Sequence, residues 1–97
     1  MRALAFIVAF FSAAAFAQLR TIPSDAERAA MRYVQENVIE LDGRPAKLAP
    51  GIRIRDRANR IITPTLVPPD VLVKYRRDAS GAVREVWILT PQEAEQR

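Results

Sequence analysis

The chain has no cysteine and no histidine among its 97 residues, only three glycines, and a single tryptophan. The first two absences exclude the most. Without histidine there is no side chain whose ordinary pKa lies near neutrality to act as a general acid or base. Without cysteine there is no thiol nucleophile and no disulfide, and together the two absences remove the usual ligands of zinc, copper and haem. The three glycines, Gly43, Gly51 and Gly81, stand far apart, so no glycine-rich phosphate loop exists. No cofactor, no metal and no enzymatic activity are expected. Glu36 and Glu40 have the even spacing that would put two carboxylates on one strand face. Such residues ordinarily cover the wet side of a strand, and a hydrolase is not expected from them.

What is present begins with MRALAFIVAFFSAAAFA, residues 1–17. Arg2 supplies a positive start, residues 3–11 are an unbroken apolar run, and Ala15-Phe16-Ala17 is an A-x-A site. That order is the pattern of a secretory signal peptide, with cleavage expected between Ala17 and Gln18. A spanning helix needs about 20 apolar residues, and polar Gln18 and Arg20 stop this run short of that. No stable membrane span is therefore expected after cleavage, and the rest of the chain is expected in the periplasm or outside the cell. Arg2 is the only charge in the leader, so the net charge falls from +4 to +3 when it leaves. A single core without disulfides supplies about 3–5 kcal/mol net at this size. One domain is the limit.

Residues 18–30 read as an N-terminal extension. Ser24 and Glu27 have capping-box spacing, which admits a helical turn over residues 25–30. Residues 31–90 read as a small β domain, and residues 91–97 as a polar tail or short terminal helix. In NVIELDGRPAKL, Asp42-Gly43 is a two-residue hairpin signal that would set Leu41 opposite Arg44 and Ile39 opposite Ala46. Pro45 cannot donate to a ladder, so the return strand is expected to be short, irregular or at an edge. Pro50-Gly51 marks a corner, and IRIRD follows with Ile52 and Ile54 inward and Arg53 and Arg55 outward. DRAN, residues 56–59, has the composition of a turn, and TPTLVPPD, residues 63–70, that of a connector.

VLVKYRR and AVREVWIL flank residues 78–81. With those four residues as the loop, Arg77 pairs with Ala82 and Val73 with Val86. Lys74 then meets Glu85, Leu72 meets Trp87, and Val71, Val73, Val86 and Ile88 share one face. Five or six short strands with close turns predict an all-β fold, a small partly closed antiparallel barrel of OB-like or SH3-like type, preceded by a signal-peptide helix.

The span from QLRTIPSDAERAAMRY to VREVWILTPQEA resembles a group of short, exported bacterial proteins. More loosely, VIELDG, LAPGIRI, VLVKY and GAVREVWIL are similar to the strands of small OB-like exported β-barrel domains. These resemblances imply the fold and the compartment, and bring no catalytic residue.

Two features are candidates for binding. Arg53, Arg55 and Arg57 would project from one face if their strand continued through Asp56. Should Lys74 and Arg76 lie on a neighbouring strand, a basic patch results, since guanidinium groups grip phosphate and carboxylate well. Trp87 with Leu72 would form an apolar surface beside it on an open sheet, whereas a closed barrel or the segment 19–22 would cover the indole. The expected function is an exported, non-enzymatic small β-barrel serving as a binding or accessory module of the bacterial cell envelope. Its partner would be an envelope protein or an anionic polymer. The alternative is an OB-type binder of nucleic acid or another anionic polymer through the basic and aromatic face.

Overall fold

A computed structural model describes residues 20–96, so the expected signal peptide and the expected cleavage site at Ala17 and Gln18 lie outside the described residues. Six strands and one short helix follow in order: β1 (Glu27–Gln35), β2 (Val38–Leu41), β3 (Arg44–Arg55), β4 (Ile61–Ile62), β5 (Val71–Arg77), β6 (Val83–Ile88) and α1 (Pro91–Glu95). The sheet runs β2-β1-β5-β6-β3-β4, and β2 also pairs with β3. Five strands thus close into a ring, β1-β2-β3-β6-β5, with β4 as an added flap on β3.

The ring is all-β as expected, but it is mixed rather than antiparallel, because β3 and β6 run parallel. Counting explains this. Strand direction cannot alternate around a closed ring with an odd number of members, so one neighbouring pair must be parallel. The resulting order, a three-strand meander closed by a hairpin whose second strand lies parallel to the third, is an OB-like circuit.

The interior is apolar throughout. Met31, Ile39, Ile54, Val73, Val83 and Val86 are each less than 2% exposed, and among the described residues no polar or charged residue is buried as a whole. Each such side chain contributes about 1.5–3 kcal/mol on leaving water, which is how a small chain holds together without disulfides.

The Asp42-Gly43 hairpin forms as its composition predicts. Both residues have positive φ, 53° and 81°, and Leu41 faces Arg44 while Ile39 faces Ala46. Pro45 does not shorten the return strand; β3 is the longest strand of the barrel at 12 residues. The pair flanking a two-residue turn exchanges hydrogen bonds and the next pair does not. Pro45, opposite Glu40, therefore sits where β2 asks for no N–H.

Four further expectations are corrected. The helical turn over residues 25–30 is absent, because β1 starts at Glu27 and the barrel with it. Ala29 and Met31 alternate into the core at 4% and 0% exposure, and β5 is available to pair with them, so the ladder prevails over local capping. Pro50-Gly51 is not a corner between strands but a bend inside β3. Between the pairs Leu48–Val83 and Arg53–Glu85 the register shifts, and Gly51 takes φ 77°, as bulged strands require.

Glu36 stands in the turn between β1 and β2 at φ 44°, not on a strand face with Glu40. Finally, the C-terminal hairpin forms with Val73 opposite Ile88, Lys74 opposite Trp87 and Arg76 opposite Glu85. Asp78 N–H donates to Ala82 O at 2.8 Å and Gly81 N–H to Asp78 O at 3.0 Å, so the loop holds three residues rather than four. A second one-residue step follows between Arg76 and Arg77. Together the two steps move the register by two, and because side chains alternate with period two, residues 85–88 keep their face. Before the bulge, Val83 turns into the core instead of outward and Arg84 outward instead of inward.

Candidate functional site

The register of β5, β6 and β3 arranges the outer face in rows. Across one row stand Lys74, Trp87 and Arg55; across the next stand Arg76, Glu85 and Arg53. The strands carrying Lys74 and Arg53 are therefore not neighbours, as the basic patch required. β6 lies between them and places Glu85 at the centre.

Glu85 is shared. Arg55 Nη1 reaches its Oε2 at 3.4 Å and Arg76 Nη1 its Oε1 at 3.4 Å, with Arg84 Nη2 at 4.0 Å. Arg76 Nε also approaches Asp25 at 3.5 Å. Arg53 and Lys74 have no carboxylate within 4.0 Å among the described residues. Three arginines thus share the carboxylate of Glu85, Arg53 stands opposite it in register and Lys74 one row away, and the face keeps a positive excess. Half-buried pairs as long as these, still open to solvent on one side, add little to stability, about 0–1 kcal/mol each, so their arrangement matters more for what the face attracts than for the fold.

Arg57 does not join the row. β3 ends at Arg55, and Asp56 turns the chain by accepting from Ala58 N–H and Arg60 N–H, both at 2.9 Å. Arg57 Nε instead donates to Leu89 O at 2.8 Å, so its guanidinium closes a loop. Arg28, opposite Lys74 in β1, is likewise occupied, donating to Gln96 O at 2.7 Å and to Ala94 O beyond the end of β6.

Trp87 is 5% exposed and lies outside the core cluster, so it is buried on the outer side of the sheet. It does not form an open apolar surface with Leu72, which is half-buried. The indole shares a cleft with Arg20, Thr21, Pro23 and Asn59 on one side and Arg55, Arg76 and Glu85 on the other. Residues 20–23 belong to no strand, yet they stand over this part of the face.

Arg20 holds them there. Its side chain is 6% exposed, and every nitrogen is used. Nε donates to Glu93 Oε2 at 3.0 Å; Nη2 donates to Glu93 Oε1 at 2.9 Å and Ile88 O at 2.6 Å; Nη1 donates to Asp56 O at 2.8 Å and Asn59 Oδ1 at 3.3 Å. A bidentate guanidinium–carboxylate pair is among the strongest charge-assisted contacts. Glu93 has a second task. Thr90 and Glu93 form a capping box at the start of α1, with Glu93 N–H donating to Thr90 Oγ1 at 3.1 Å and Thr90 N–H to Glu93 Oε1 at 3.0 Å. Burial pushes the Glu93 carboxyl up, but the bonds from Arg20 and Thr90 outweigh it and hold the group below its ordinary range.

Sequence reasoning missed Arg20 and Glu93. The T-x-x-E spacing of Thr90 and Glu93 was a usable signal; Arg20 carried none, since all its partners are distant in the chain.

No group of three or more metal-ligating side chains occurs among the described residues, and no helix there is long and apolar enough to cross a membrane. The fold and face define a small closed β-barrel with a basic outer surface. Comparison with protein-family models, curated proteins and solved structures returns no match.

Proposed function

We propose that this protein is an exported, non-enzymatic binding module of the bacterial cell envelope that holds an anionic partner on the outer face of β3, β6 and β5. Export rests on the leader pattern of residues 1–17. The binding reading rests on one observation, the five cations Arg53, Arg55, Lys74, Arg76 and Arg84 carried on one outer face, only three of which share the carboxylate of Glu85. Guanidinium groups spaced along strands suit a polymer with repeating negative charge, such as an acidic polysaccharide or a phosphate polymer. Binding of that kind releases counterions and weakens steeply with salt.

The test is retention of the purified protein on immobilised polyphosphate at low ionic strength, with release as salt rises. The double variant Arg53→Glu, Lys74→Glu should lose retention while unfolding at the same denaturant concentration. No retention of the unaltered protein at low ionic strength would overturn the reading.

A further inference from the structure

The geometry points to residues 20–23 as a cover over Trp87, hinged beyond Pro23 and latched by Arg20, so that the basic face carries a concealed aromatic platform for a ring-bearing polyanion, single-stranded nucleic acid being that class. This rests on the anion-binding reading above and deepens it.

Three observations carry the inference. First, no ladder pairs residues 20–23 with the sheet; the backbone bond that follows, Ala26 N–H to Pro23 O at 3.1 Å, is a local turn. The segment is held by a side chain, Arg20, whose five bonds converge on the 56–59 turn, the end of β6 and α1. Segments tied at one point open locally without unfolding the rest.

Second, the indole so covered lies on the outer side of the barrel, beyond the core cluster. A buried tryptophan that packs only the outside of a sheet is not needed to fill the interior. Third, its neighbours along the row are Lys74 on one side and Arg55 on the other. An aromatic face flanked by cations is the arrangement that stacks a base while holding the phosphates on either side of it.

Trp87 is the only tryptophan of the chain, which makes it its own reporter. Acrylamide quenching of its fluorescence should be shallow in the unaltered protein and about threefold or more steeper in Arg20→Gln, while both unfold cooperatively, as local opening demands. Oligothymidylate should then protect the indole in Arg20→Gln and bind that variant more tightly than polyphosphate of matched charge.

Equal quenching in two folded proteins would overturn the cover, and equal affinity for the two polymers would overturn the platform. If Arg20→Gln fails to fold, exchange of the Trp87 indole N–H in the unaltered protein decides the matter. Exchange faster than the core amides of Ile54 and Val86 supports a local opening, and exchange at their rate overturns it. Quenching is read without polymer, so failure of both proteins to bind any polyanion would sink the anion-binding reading while leaving the cover standing.

Discussion

Arg20 and Glu93 meet in two parallel hydrogen bonds, 3.0 Å and 2.9 Å long, across 73 residues of chain. Removing the guanidinium leaves the Glu93 carboxylate and the carbonyls of Asp56 and Ile88 without their donor. Arg20→Ala should therefore lower stability by about 2–4 kcal/mol, because a partly buried charge and its acceptors are left unpaired. Arg20→Lys should recover only part of the loss, since an ammonium cannot span the two oxygens and the two carbonyls together. Urea titration followed by far-ultraviolet dichroism reads both values.

The same contact sets a pH dependence. The Glu93 carboxyl is held below its ordinary value of 4.5, burial being outweighed by the bonds from Arg20 and Thr90. A group whose pKa is lower in the folded state contributes stability that is fully present above its unfolded pKa. That contribution is lost as pH falls through the folded one. The protein should thus weaken as pH drops below about 4.5. Glu93→Gln should flatten part of that acid limb while lowering stability at neutral pH. Asp78, lowered by the Ser80 hydroxyl despite some burial and further by backbone donors of its loop, should account for part of the remainder. Thermal unfolding from pH 3 to pH 7 checks the sign.

Glu85 restrains the face it centres. Glu85→Gln removes the carboxylate shared by Arg55 and Arg76 and should raise affinity for polyphosphate. It should also steepen the dependence on salt by about one unit in the logarithmic slope, as one further cation becomes available. A variant that binds more weakly would show that Glu85 orders the arginines rather than competing for them.

Gly51 lets β3 bend between two registers. Nothing lies within 4 Å of an added Cβ, so the cost of Gly51→Ala comes from φ 77° alone. Stability should fall by about 1 kcal/mol, the usual penalty of forcing an ordinary residue into that region, with the fold unchanged. An equal or greater stability would mean that the bend tolerates another backbone angle.

The limits of local reading show best in one motif that occurs twice. Ser24–Glu27 and Thr90–Glu93 have the same capping spacing, yet only the second caps a helix. After Glu27 come Ala29 and Met31, which have a sheet face to fill; Glu93 is followed by Ala94, Glu95 and Gln96, which pair with no strand among the described residues. The arginine row divides in the same way. Arg53 and Arg55 point outward as alternation requires, while Arg57 is diverted because Asp56 draws the backbone into a turn.

Alternation, the Asp42-Gly43 turn and the paired apolar runs at residues 71–77 and 83–88 determined by themselves an all-β chain and which side of β5 and of residues 85–88 is greasy. Those are consequences of period two and of positive φ, both local. How the hairpins lie beside one another was decided only by closure. An odd ring forces β3 and β6 to run together, sets Glu85 among the cations, and brings Arg20 to Glu93. Contacts of such sequence separation depend on the shape of the whole barrel, and no local pattern encodes them.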